Sequence, residues 1–172
     1  MEWLARNCND PMLADGFVRL MEEERCAYRL LDGSVVPISS EEEGEAIYTA
    51  LDAMSRPGLG GARIHLLKAG SSLTAGEYAD SVRESIHAVE SVARSLTGEA
   101  SLQKALTEIG KKHPMHPALK SGFSNIYGYT SDANGIRHPM VGDKETMVEE
   151  AEAIFMLGSC AAFVTYLVNV AG

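Results

Sequence analysis

The side chains best able to meet an anion are concentrated in the middle third of the chain. Between Ser101 and Met140 stand Lys104, Lys111, Lys112, Lys120 and Arg137 against only Glu108 and Asp132, a local charge of +3 that leaves −12 for the rest of a chain of net charge −9. Evenly spread negative charge would repel a polyanion, so an anionic or nucleic-acid ligand belongs to this region while the acidic remainder solvates the surface. Lys111, Lys112 and Lys120 are the candidate phosphate contacts. His113 and His116 flank Pro114 beside two of these lysines. Metal binding there would ask for a carboxylate or thiolate that the local sequence lacks, so they read as part of a basic loop. Arg83 and His87 stand one helical turn apart, either as a phosphate-facing pair or as exposed i,i+4 neighbours. Tyr127 and Tyr129 either stack bases or close the end of a bundle.

Other chemistries are poorly served. Cys8, Cys26 and Cys160 are three in number with no close spacing, which suggests neither a disulfide framework nor a zinc site and fits a reducing cytoplasm. No glycine-rich phosphate loop of the mononucleotide or dinucleotide type is present. No metal and no cofactor are expected.

These residues need elements to position them, and the chain supplies mostly helices. With 172 residues, 45% hydrophobic and 23% charged, it can build one sizeable core with a small accessory layer. Leu13, Phe17, Leu20 and Met21 mark an amphipathic helix over Met12–Glu24. The period then changes: strands are predicted near Ala27–Leu31 and Ser34–Ile38 around Asp32-Gly33, a dipeptide suited to a tight hairpin turn. Ser39 or Ser40, followed by Glu42 and Glu43, opens a helix running to about Met54. Pro57-Gly58 and Gly60-Gly61 punctuate the next connection, before a shorter helix from about Ala62 to Leu73. From Thr74, read with Glu77 as a capping box, Tyr78, Val82, Ile86, Val89, Ala93 and Leu96 line one face of a long helix ending at Gly98. A second helix carries Leu102, Ala105, Leu106 and Ile109, and a short third runs from Pro117 to Tyr127 into a Gly- and Asn-rich loop, Gly128–Gly142. The last helix begins near Lys144. The expected architecture is thus mainly α: a small connector of helix, β-hairpin and helices, residues 1–73, and a helical bundle, residues 74–172.

The carboxy-terminal stretch Ala153–Gly172 carries no charge and is about long enough to span a bilayer. It is diluted by Gly158, Ser159, Thr165 and Asn169 and preceded by acidic rather than basic residues. We read it as the buried central helix of the bundle rather than a membrane anchor. The amino terminus lacks the basic-then-apolar order of an export signal, so a cytoplasmic location without membrane contact is expected.

Three stretches, YADSVRESIHAVESVARSLTG (78–98), HPALKSGFSNIYGYTSDANGIRHPM (116–140) and EEAEAIFMLGSCAAFVTYL (149–167), resemble the carboxy-terminal part of AbiJ-type bacterial abortive-infection (phage-defence) proteins. The hairpin YRLLDGSVVPIS resembles the connector that precedes that domain. The block SDANGIRHPM is the most specific piece. The resemblance implies a HEPN-like helical bundle, a homodimer, and a relationship to metal-independent endoribonucleases and RNA-binding effectors. It also implies a further amino-terminal effector domain, separate from this chain or missing from it.

The active HEPN motif is an Arg, an adjacent polar residue, and a His a few residues on. A proton carrier near neutral pKa and a fixed cation are what cleavage of RNA by its own 2′-hydroxyl requires. By this resemblance His138 takes the motif's histidine and Asp132 its polar position, while Ser131 stands where the leading arginine belongs and Arg137 immediately precedes the histidine. In an active arrangement His138, Arg137 and Asp132 are catalytic. Arg137 or Arg83 clamps phosphate, Glu84 and Asp132 orient His138 or Arg137, and Arg83, Glu84, Asn134 and the three lysines contact RNA. In the alternative, Asp132 and Asn134 cap a turn reversed at Gly135, and Arg137-His138 ties that loop to the bundle through Glu84 or another carboxylate. The domain is then a non-catalytic dimerisation or sensing module with a degenerate active site.

Overall fold

Periodic apolar residues place seven helices and one hairpin among the described residues, 11–23, 28–31, 34–132 and 148–171 of a computed structural model. In chain order these are α1 (Pro11–Glu23), β1 (Tyr28–Leu31), β2 (Ser34–Pro37), α2 (Glu41–Ala53), α3 (Gly60–Thr74), α4 (Tyr78–Thr97), α5 (Leu102–Lys112), α6 (Pro117–Asp132) and α7 (Glu150–Ala171). The fold is mainly helical with a small antiparallel sheet after the first helix, as expected.

The strands pair with Leu31 opposite Ser34 and Tyr28 opposite Pro37; the turn residues Asp32 and Gly33 lie outside the described residues. Pro37 cannot donate to a ladder, which a two-stranded sheet tolerates because both strands are edges. The hairpin is held by the helices around it. Tyr48 Oη on α2 donates to the Leu30 carbonyl at 2.7 Å, and Thr74 Oγ1 at the end of α3 donates to the Val35 carbonyl. Buried Val36 lies so close to α3 that a Cβ on Gly70 would sit 2.8 Å from Val36 Cγ2, so a side chain is excluded there by the approach of the strand.

Local signals set several helix ends. Ser40 caps α2 by accepting from the Glu43 N–H at 3.2 Å, while the Ser39 N–H and hydroxyl both donate to Glu43 Oε2 at 2.6 Å. This reciprocal arrangement satisfies donors that the first turn leaves open. The Glu42 carboxyl is held below the usual range by its own backbone N–H and then by the Ser40 hydroxyl. Gly98 closes α4 in the left-handed region at φ 75°, its N–H donating to the Arg94 carbonyl at 2.8 Å.

Elsewhere the structure corrects the expectations. Thr74 does not cap α4: it is the last residue of α3, its hydroxyl bonds the hairpin and the Gly70 carbonyl, and α4 starts after Glu77 with no side-chain cap bond. Gly60 and Gly61 lie inside the first turn of α3 rather than before it. The helix α6 is not short but runs 16 residues to Asp132, through Gly128 and the first part of the predicted loop. A mid-helix glycine costs about 1 kcal/mol relative to alanine. Here packing offsets it: Phe123 stacks on Phe163 of α7 with centroids 3.5 Å apart, and Tyr127 Oη donates to Glu90 Oε1 on α4 at 2.7 Å. The last helix begins at Glu150, not near Lys144, with Val148 and Glu149 outside it.

The core is organised on α7. Met156, Leu157, Cys160, Ala161, Val164, Leu167 and Val168 are buried, and α7 packs on α4, α2 and α3. Val36 and Ile38 beside the hairpin, Leu66 and Leu73 of α3, and Leu106 and Ile109 of α5 join the same cluster, so one core runs across the 73/74 boundary. Among the described residues α7 is the one helix long and apolar enough to cross a membrane, and 50% of its most apolar window is buried inside the fold.

Candidate functional site

Glu84 and His87 are three residues apart on α4 and therefore share a face. Val82, Ile86, Val89 and Ala93 turn the other side of that helix into the core, which leaves Arg83, Glu84, His87 and Glu90 along a half-buried margin. On α3, Ala62, Leu66, Ala69 and Leu73 are buried, and His65 lies beside this face where α3 meets α4. The packing brings His65 Nδ1 to 2.6 Å from Glu84 Oε2. The His87 ring stands edge-on to His65, with centroids 5.3 Å apart and planes at 67°. One ligand atom from each of the three side chains lies within 4.8 Å of the others. With side chains 33% and 20% exposed, His65 and Glu84 are shielded from bulk water yet open to a solute.

Arg83 precedes His87 by one turn and its Nη2 pairs with Asp80 Oδ1. One turn beyond His87, Glu90 accepts from Tyr127 of α6. The margin of α4 thus leads from a guanidinium, past two imidazoles and a carboxylate, to the helix that ends at Asp132.

Of the residues singled out by sequence, the structure brings Arg83 and Glu84 into this cluster but not the lysines. Lys111 Nζ pairs with Glu108 Oε1 at 2.6 Å, and Lys120 Nζ donates to Thr107 Oγ1 at 2.8 Å. Lys112 lines a cavity with Leu96, Thr97 and Glu99. Thr97 follows His87 by ten residues, or about 15 Å of helix. Glu84, assigned by sequence to Arg137 or His138, has Oε2 engaged by His65. Asp132 ends α6 as a helical residue instead of opening a loop. The side chain of Asp132, together with Asn134, Arg137 and His138, lies outside the described residues.

The flanks of that segment are described. Tyr129 near the end of α6 has its phenol pushed up, first by burial and then by the negative charge of Glu152 in the first turn of α7. Ile86 of α4 lines a cavity with Cys160 of α7, and Leu96 lines another with Ala171, so the two helices run in the same direction. The described flanks, the end of α6 and the start of α7, therefore lie toward the end of the bundle where α4 begins, the half of α4 that carries Arg83, Glu84 and His87.

Sequence reasoning missed His65. Its partner Glu84 is 19 residues away on another helix, beyond any local spacing rule. The cluster holds the groups that proton transfer uses, two imidazoles and a carboxylate whose bond to one ring nitrogen leaves the other nitrogen to react. The same three donors are of the types that hold a divalent cation. Cys160, with its thiol pushed up to about 12 by complete burial, is not a candidate nucleophile. No protein-family model, curated protein or solved structure matches the chain.

Proposed function

We propose that the chain is a HEPN-like domain of an abortive-infection system that binds RNA along the margin of α4 and cleaves it without metal as a homodimer. The observation that carries this reading is the pairing of two imidazoles with one carboxylate, His65 Nδ1 at 2.6 Å from Glu84 and His87 edge-on at 5.3 Å, one turn from Arg83. Attack of a 2′-hydroxyl on its own phosphodiester needs one group to take that proton, one to protonate the leaving 5′-oxygen, and a cation facing the charge that builds on phosphorus. With Nδ1–H directed at Glu84, His65 Nε2 keeps its lone pair as the base. His87 supplies the acid, and Arg83 turns from Asp80 to phosphate. By the family resemblance Arg137 and His138 belong to the same site, and the described flanks of their segment, the end of α6 and the start of α7, lie toward that end of the bundle.

The test is cleavage of single-stranded and transfer RNA in excess chelator. The double variant His65→Ala/His87→Ala is expected to lose ~10²–10⁴-fold, as is His138→Ala. Arg83→Ala should raise the barrier by roughly 2–4 kcal/mol. Substrates lacking the 2′-hydroxyl should survive intact. Light scattering should give a dimer at micromolar concentration.

A second reading, a non-catalytic dimerisation or sensing module, is favoured by a specific observation: Arg83 is paired with Asp80 and Glu84 with His65, so these groups are engaged within the fold. Ser131 at the motif's arginine position points the same way. Intact RNA with every variant still dimeric would establish this second reading and end the first.

A further inference from the structure

We infer that His65, Glu84 and His87 form a binding site for a divalent transition-metal ion of the zinc class. Two imidazole nitrogens and one carboxylate oxygen are a borderline ligand set, suited to Zn²⁺ and its first-row neighbours rather than to Mg²⁺ or Ca²⁺, which prefer all-oxygen shells. The donors are already gathered: all lie within 4.8 Å of one another on two helices packed together. A tetrahedral zinc with bonds of about 2.0–2.1 Å needs donors about 3.4 Å apart. Closing the longest separation and opening the 2.6 Å His65–Glu84 contact are both side-chain adjustments and leave the helices in place. Their backbones hold still because Leu66 and Ala69 on α3, and Val82, Ile86 and Val89 on α4, are locked in the core. Sites in helical bundles are built in this way, from an i,i+3 carboxylate and histidine on one helix and a ligand from the helix facing it.

Three protein ligands leave a fourth position, the pattern of an open rather than a purely structural site. Partial exposure of His65 and Glu84 gives the ion a way in and gives that position to water or a phosphate oxygen. The binding itself is independent of the RNA reading, although one consequence rests on it: metal takes the lone pairs that proton transfer needs, so zinc should silence cleavage that depends on His65 and His87. This site departs from the sequence expectation of no metal, because the third ligand comes from a helix that no spacing rule joins to the other two.

The experiment is zinc titration of the chelator-stripped full chain by calorimetry, with Co²⁺ absorption reporting geometry, and no RNA in any arm. One zinc per chain with micromolar or tighter affinity is expected. Each of His65→Ala, Glu84→Gln and His87→Ala should weaken it at least ~100-fold, since loss of groups outside the ligand shell alone costs 10–100-fold. The variant His113→Ala/His116→Ala should bind as the parent does. In the unaltered protein, imidazole NMR signals of His65 and His87 should shift with zinc, and the melting temperature should rise with its concentration. No binding at millimolar zinc, binding unchanged in the three site variants, or shifts confined to other histidines would overturn the proposal. Because RNA is absent, such a failure leaves the RNA reading standing, and failure to cleave RNA leaves the titration unaffected.

Discussion

The two longest helices lie side by side and divide the work differently. α7 has acidic residues only in its first turn, Glu150 and Glu152, and buries nine of its 22 residues. α4 buries Val82, Ile86, Val89, Val92 and Ala93 but keeps Arg83, Glu84, His87 and Glu90 along its edge. A helix that carries no charge beyond its first turn offers packing and little chemistry, and a charge placed on its buried side would need costly desolvation. A helix buried on one side can hold reactive groups at its margin, positioned by the core yet reachable from outside. Perturbing α7 should therefore register in folding, and perturbing the margin of α4 should register in binding.

The largest expected effect is on Cys160. Its labelling by iodoacetamide, followed by peptide mass mapping, should be suppressed by several orders of magnitude and proceed only through opening of the fold, as the folding equilibrium of about 10³–10⁸ dictates. Burial raises its thiol from 9.0 to about 12, so the neutral thiol is the form the fold accepts. The stability this contributes is fully present below about pH 9 and is lost as pH rises through 9 toward 12. Rapid labelling at neutral pH would break the picture of a sealed α7.

Next comes Leu167→Ala, which removes a fully buried side chain from α7 and should cost about 2–5 kcal/mol in urea unfolding. A loss under about 1 kcal/mol would mean the core is not centred there.

Gly70→Ala should cost up to about 2 kcal/mol: the new methyl meets Val36 at 2.8 Å, and overpacking of about 1–3 kcal/mol outweighs the helix-propensity gain of about 1 kcal/mol. Stabilisation would show that the hairpin yields.

The smallest stability effect belongs to the margin. Arg83→Ala breaks a partly exposed ion pair with Asp80 and should alter folding by no more than about 0.5 kcal/mol, while weakening RNA binding in a filter or anisotropy assay. If stability falls and RNA binding does not, Arg83 is structural and the contrast between the two helices fails.

The signals that proved legible are those whose physics is local. Ser40 and Gly98 end helices by bonds within a few residues, and the apolar period of α4 is visible in its own 20 residues. The errors arose where a residue answered to something distant. Thr74 looks like a cap but is claimed by the hairpin 39 residues earlier. Gly128 looks like a stop, yet α6 continues through it because Phe123 and Tyr127 on the same helix are held by α7 and α4. Arg83 and the three lysines read together as RNA contacts, and the structure sets them apart, with about 15 Å of helix between Thr97, beside Lys112, and His87.

The amino-acid sequence by itself determined the helical class, the hairpin, and the apolar faces of α4 and α7, because backbone preference and hydrophobic period act over one or two turns. It also placed Arg83, Glu84 and His87 on a common stretch of helix, since i,i+3 and i,i+4 neighbours meet in any α-helix. Only tertiary structure decided that Glu84 serves His65, for that contact joins two helices whose relative rotation is set by core packing: a turn of one helix about its axis would bury the imidazole or aim it into solvent.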